Sequence, residues 1–410
     1  MTTALQALRV LREDGDFSAP TRVSWADGRF GLGGESQPED LDGAGFWLIP
    51  GLVDTHLHAA WHAFDAADRL AMSADDAQRA TAETLACTLA AGVTSVRDAG
   101  GLDAATLALV PEAARPRAQL SVSLIDRVAA DDAGGVAAAA DAALASGARW
   151  VKLVATAGVA APAGTDLEPV FSRAEIEDAV DRAARVGAGV MVHAWGGRAI
   201  DDAIEAGAMS IEHGMYLTEE QAARAAEREM TLVPTLRIYH LVQRMIAEGA
   251  LPASFAPRVD EAVAQHSTAV RRARDAGLAI ALGTDYGTTA QHGTNRREFD
   301  ALVVAGLTPQ EALIASTRSG AALLTRVAPD PSAAPDGRIA DGSVADGVIL
   351  GADPRASGAL SDPGAIVAVI KGGTIVHGAL DNRPAPAPRA STSQPVFLTT
   401  PLTNTREDHP

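Results

Sequence analysis

The chain has 410 residues, a formal net charge of -18, a single cysteine, 47% hydrophobic residues and only 4% aromatics. Its acidic balance excludes the clustered basic surface that nucleic-acid phosphates or an anionic membrane require, and one cysteine excludes an intrachain disulfide or a thiolate zinc site. No apolar run approaches the ~20 residues of a membrane span and MTTALQALRV lacks a signal peptide's continuous apolar stretch, so a cytoplasmic protein is expected.

Residues 1–49 hold short alternating runs and turn signals such as TRVSWADGRFGL, which predict the first part of a small β-sandwich. Residues 50–330 then alternate short β-type runs with longer helical ones. FWLIPGLVDTHLH, GVTSVRDAG, AQLSVSLI, ARWVKLVAT, GAGVMVHAW, MSIEHG, TLVPTL and LAIALGTD supply eight candidate strands, and eight in one βα series predict a closed (β/α)8 TIM barrel in an α/β protein. Alanine-rich segments such as AAAADAALA suit the intervening helices. SRAEIEDAVDRAARVG opens with a Ser172/Glu175 capping box and ends in Gly187, while TPQEALIASTRSGAALL opens with Thr308 and Pro309. Cys87, between Leu85 and Leu89 in a helical pattern, is expected to be a buried structural thiol. GRIADGSVADGVILG and IVAVIKGGTIVHG in residues 331–380 predict the second part of the sandwich. Residues 381–410 begin NRPAPAPRASTSQP and are expected to form a loosely ordered tail, in which VFLTTPL could dock on the body or on a second subunit.

His56 and His58 stand two residues apart at the end of an apolar run, and in a strand that spacing sends both imidazoles to one side, where they can share an ion. Alone the pair carries little, because exposed histidines at a strand end are the ordinary alternative. Ligand-type residues recur, however, at the C-terminal ends of later strands: Lys152, His193, His213 and Asp285, with Asp98 at the same level. That end is the active-site face of such a barrel.

On PGLVDTHLH, SIEHG and GTD the chain resembles the amidohydrolase superfamily over nearly all of residues 1–380. GARWVKL, GAMSIEHG, VPTL, HGTNRREFDALVVAGLTPQEAL and VIKGGTIV make it most similar to the prolidase-like dipeptidases and their imidazolonepropionase-related neighbours. In the lysine-bearing members a strand-four lysine is carboxylated by CO2, and the resemblance implies that role for Lys152. An ammonium would repel metal ions, whereas a carbamate is an anionic ligand able to span two ions ~3.5–4 Å apart. The resemblance further implies two divalent ions, zinc by ligand type. His56, His58 and Asp285 would hold the more buried ion, His193 and His213 the more exposed one, and Lys152 both. A bridging hydroxide would attack the carbonyl, and Asp285 would pass its proton to the leaving amine.

By the same resemblance Tyr239 is a candidate oxyanion donor and substrate contact. Asn295 and His292 would support Asp285 or line the pocket, and Arg237, His240 and His62 are further candidate substrate contacts. Two departures bear on the substrate: relatives commonly read HAH on strand five where this chain has Trp195, and ATAGVAAPAGTD is poorer in glycine than usual.

The implied activity is hydrolysis of a peptide or other carboxamide bond in a small molecule or peptide, by an Xaa-Pro or N-acyl amino-acid dipeptidase, a mycotoxin amidase or a peptide-trimming enzyme of natural-product biosynthesis. The alternative is a mononuclear deaminase or cyclic-amide hydrolase of the imidazolonepropionase kind, which uses no bridging lysine. A barrel kept only as a scaffold would be favoured by a missing ligand, and every expected one is present. Homo-oligomerisation rests on base rates alone.

Overall fold

The computed structural model describes residues 3–64, 66–159, 161, 164–362 and 364–380; the tail from 381, including VFLTTPL, lies outside the described residues. Eight parallel strands close into a barrel: Leu52–His62, Val93–Asp98, Arg117–Leu120 continued by Leu124–Ile125, Trp150–Val154, Gly189–Ala194, Ser210–His213, Thr231–Val233 and Ala279–Ile280. The last joins the first through Thr55 N–H to the Leu282 carbonyl at 2.9 Å and Thr284 N–H to the His56 carbonyl at 3.0 Å. A short strand, Tyr286–Thr288, then runs parallel to Leu52–His62.

Two candidate strands are subdivided. Trp47–Pro50 pairs in a separate sheet, and the barrel strand begins after Gly51, whose place leaves no room for a Cβ beside Thr94. AQLSVSLI breaks where Val122 takes φ 67°. Strand residues are Val, Ile and Leu buried on both faces, because helices cover the outside and side chains fill the inside. Those helices follow the expected punctuation: Ser172 and Glu175 form a reciprocal capping box at the head of Arg173–Arg185, and Thr308 with Glu311 does the same before Pro309. Cys87 departs from expectation: on the helix Ala74–Ala90 it falls on the outer face and is exposed, while Leu85 and Leu89 are buried.

The two chain ends build one separate sheet domain. Its strands run in the order Thr374–Gly378, Ile366–Lys371, Gly347–Leu350, Trp47–Pro50, Thr3–Val10, Thr21–Ala26, Arg29–Leu32, with Leu41–Asp42 beside Thr3–Val10. Leu5, Val23, Trp25, Leu48, Ile349 and Ile370, drawn from both ends, share its own apolar core. Among the described residues no helix is long and apolar enough to cross a membrane.

Candidate active site

Strand register brings the ligand-type residues to one end of the barrel. Lys152 lies opposite Met191, Val154 opposite His193, and His193 opposite Glu212. Asp285 follows the eighth strand with φ 54°, a left-handed turn that lets its side chain fold back over the first strand. Its Oδ1 lies 3.2 Å from His58 Nε2 and 3.4 Å from His56 Nε2. These three residues offer ligand atoms all within 4.8 Å of one another. Lys152 Nζ is 3.4 Å from His56 Nε2, and the His213 ring centre lies 5.1 Å from that of His56 and 4.5 Å from that of His193.

His56, His58 and His213 are each anchored through Nδ1. His56 Nδ1–H donates to Glu212 at 2.6 Å, His58 Nδ1–H to the Gly100 carbonyl at 2.8 Å, and His213 Nδ1 meets the Thr235 hydroxyl at 2.7 Å. Occupying Nδ1 leaves Nε2 free toward the centre, the arrangement that orients metal-ligating imidazoles. His193 Nε2 is buried without a hydrogen-bond partner among the described residues, an atom that a cation would satisfy.

Burial dominates the electrostatics. It pushes His56 down to about 4 and His193 to about 3, with the Lys152 charge adding in both cases, so these imidazoles are neutral and able to ligate. Burial also lowers Lys152 to about 8, against the opposing pull of Glu212 and Asp285. Burial alone would raise Asp285, but His56, His58 and Lys152 outweigh it and hold the carboxyl below its usual range.

Glu212 and Arg97 were not singled out from sequence. Both are fully buried; Arg97 Nη2 donates to Glu212 at 2.8 Å, its Nε to the Thr55 carbonyl at 2.6 Å, and its guanidinium lies 4.6 Å from the Trp150 ring centre. Asp54, inside the first-strand motif, accepts from His56 N–H, Thr284 N–H and hydroxyl, and the Asn295 amide at 2.9 Å, tying the HxH strand to the loop that carries Asp285. Asp98 accepts three backbone N–H groups, from Ala59, Gly100 and Leu102, and so shapes the turn beneath His58.

Above the cluster opens a cavity of about 150 Å³ whose wall includes all six ligand-type residues together with Tyr239, Trp61, Ile238 and Gln291. Tyr239 is buried, and its hydroxyl accepts from Trp195 Nε1 at 3.2 Å, so the tryptophan in the place of the common histidine orients the phenol. Trp61 stacks on His58 with ring centres 3.7 Å apart.

The remaining candidates do not line the cavity. Arg237 is buried and its Nη1 bonds the Tyr286 hydroxyl; His240 bonds Gln243; His62 Nε2 meets the Thr81 hydroxyl; His292 Nδ1 faces the Thr88 hydroxyl at 3.4 Å. The helix Leu236–Ala247 explains the first two. Ile238, Tyr239 and Val242 share its inner face, and Arg237 and His240 fall outside that stripe. Its first N–H groups, on Leu236 and Arg237, are taken by buried Glu298 at 2.6 and 2.9 Å.

The chain is similar in sequence and fold to several known proteins. An uncharacterised protein of Mycobacterium tuberculosis is 30% identical over 298 residues, covering 71% of this chain and 78% of its own. Aspergillus niger ochratoxinase is 31% identical over 234 residues, which is 57% of this chain and 47% of that enzyme. The solved structure of a prolidase complexed with N-methylphosphonate-L-proline superposes with a TM-score of 0.80 at 26% identity, over 92% of this chain and 99% of that one. The amidohydrolase family model matches residues 47–376, and the chain belongs to the amidohydrolase family.

Proposed function

We propose that the protein is a binuclear metal-dependent hydrolase of amide-type C–N bonds. One observation carries this reading: four imidazoles, three with Nδ1 anchored and the fourth with an unpartnered Nε2, surround Lys152 and Asp285 at the floor of one cavity. In this reading His56, His58 and Asp285 hold one divalent ion, His193 and His213 a second, and a carboxylated Lys152 both, with zinc favoured by the donor set. When bound, such ions lower the pKa of water and polarise a carbonyl. The depressed pKa of Lys152 supports the modification, because only the neutral amine reacts with CO2.

The chain's own groups supply the rest. Asp285, held ionised beside His56 and His58, takes the proton of the attacking water and returns it to the departing amine. Tyr239, its hydroxyl steadied by Trp195, donates to the oxygen that gains charge as the carbonyl becomes tetrahedral. The likeness to a prolidase and to ochratoxinase supports a dipeptidase, an N-acyl amino-acid amidase or a peptide-trimming enzyme.

A specific observation favours a second reading, a mononuclear deaminase or cyclic-amide hydrolase: His56, His58 and Asp285 form a complete three-ligand group without Lys152. Assay of the zinc-loaded protein on dipeptides, N-acyl amino acids and simple amides, with amine release and ammonia release followed separately, tests both. Amine release abolished by chelation and restored by zinc is expected; ammonia release alone would favour the second reading and contradict the first.

A further inference from the structure

The cavity wall beyond the ligand cluster is mostly apolar, and apart from the cluster and the ions it would hold, the described residues bring no positive charge into it. Trp61, Phe64, Leu124, Ile238 and Val242 form it, and among the described residues Lys152 is the only lysine or arginine lining the cavity. The arginines nearby are committed elsewhere. Arg69 donates to the Ala63 and Phe64 carbonyls at 3.1 and 2.8 Å and lies over the Trp61 ring. Arg258 donates to the carbonyls of Ala157, Gly158 and Thr165 beneath Trp195. Arg237 is engaged by the Tyr286 hydroxyl.

Among the described residues the wall has one amide, and its donors face the ligand space without a charge of their own. Gln291 Oε1 accepts from Gly287 and Thr288 N–H, both at 2.9 Å, which fixes its rotamer and leaves the Nε2 donors to a substrate oxygen. The volume of about 150 Å³ is shared between the ligand cluster and this apolar wall, which limits the group lying against the wall to about one small ring.

We infer that the preferred substrate is an uncharged carboxamide bearing one aromatic ring or a branched aliphatic group of similar size, which narrows the substrates proposed above to amides without a free carboxylate beside the scissile bond and sets the dipeptidase and N-acyl amino-acid readings second. The inference rests on the hydrolase reading above. Water adds to the carbonyl carbon, the C–N bond breaks and the amine leaves with a proton; the apolar group sits against Trp61 and Val242 while Gln291 donates to a neutral oxygen. A carboxylate against that wall would lose its hydration with an amide but no cation beside it, and the chain's charge of -18 repels anions from afar.

The matched pair N-acetyl-2-phenylethylamine and N-acetyl-L-phenylalanine, which differ only by a carboxylate, tests this on the zinc-loaded protein. The readouts are amine release and calorimetric binding. The neutral amide is expected to be favoured by roughly tenfold or more in kcat/KM or Kd. Equal or reversed preference, or no binding of either compound, overturns the inference. The hydrolase reading is judged separately, by chelator-sensitive cleavage across the wider amide panel. Phe64→Arg, which adds a cation to the wall, is expected to shift the ratio of affinities toward the acid by roughly tenfold; an unchanged ratio places the ring elsewhere and overturns the assignment.

Discussion

His56 and Glu212 share a 2.6 Å hydrogen bond through Nδ1 of the imidazole, and Arg97 holds the same carboxylate from behind at 2.8 Å. The imidazole is thereby fixed in the tautomer that presents Nε2 to the cavity, and the carboxylate increases its basicity. Glu212→Gln keeps the shape but removes the charge. It is expected to weaken metal binding roughly 10- to 100-fold, read by competition with a chromogenic chelator. Unchanged affinity would show that Glu212 serves only the fold.

Arg97 itself is fully buried with Glu212 as its charge partner and Trp150 beneath its guanidinium. Arg97→Met leaves the Glu212 carboxylate buried without a counter-charge, and a loss of about 3–5 kcal/mol in denaturant unfolding is expected. A loss below ~1 kcal/mol would mean that the carboxylate takes up a proton instead at little expense.

Tyr239 touches the cavity through a hydroxyl that Trp195 orients. Tyr239→Phe is expected to lower kcat by roughly 100-fold with little change in KM, as removal of one oxyanion donor does. Equal falls in binding and turnover would assign the residue to substrate packing.

Burial holds His56 and His266 down to about 4 and His193 to about 3, whereas an imidazole in the unfolded chain titrates near 6.5. The folded, metal-free protein therefore binds fewer protons than the unfolded chain between these values. The stability these groups contribute is full above about pH 6.5 and is lost as the pH falls toward about 4. For chelator-stripped protein the urea midpoint is expected to be lower at about pH 5 than at about pH 7.5, and His266→Asn should reduce the difference. Buried Asp54 and Asp98, pushed up to about 6, and Glu298, pushed up to about 8, act in the opposite direction, so the comparison of variant with wild type decides, and an unchanged pH dependence in His266→Asn would contradict the burial argument.

The barrel is legible in the sequence through its strand periods, and the gathering of ligand-type residues at its rim through those periods together with the resemblance on PGLVDTHLH, SIEHG and GTD. His56 and His58 alternate along a strand, and Lys152 and His193 each interrupt an apolar run, WVKLV and VMVHAW. Glu212 stands inside the quoted run SIEHG yet passed without a role, since strand alternation sends neighbours to opposite faces. The structure breaks that rule at His213, whose φ of 72° turns its ring toward His56 and His193 while Glu212 also reaches His56. No sequence period announces such a left-handed residue. Arg97 was passed over because a fully buried arginine is rare. Arg237 and His240 neighbour Tyr239 in sequence, but on the helix Leu236–Ala247 they fall outside the stripe that lines the cavity, a distinction that only the helix phase makes. Trp61, three residues beyond His58, was visible only as an aromatic, and its stacking depends on the irregular end of the first strand, where His62 takes φ 62°.

The role of Lys152 decides the binuclear reading. The measurement is metal content per chain on protein purified without chelator, combined with 13C NMR after exchange with labelled bicarbonate, for the wild type and Lys152→Met. Two ions per wild-type chain, a carbamate resonance absent from the variant, and loss of at least one ion with the side chain are the expected results. One ion per chain beside an unmodified Lys152, with metal content unaltered by the substitution, would contradict the account and favour mononuclear chemistry on His56, His58 and Asp285.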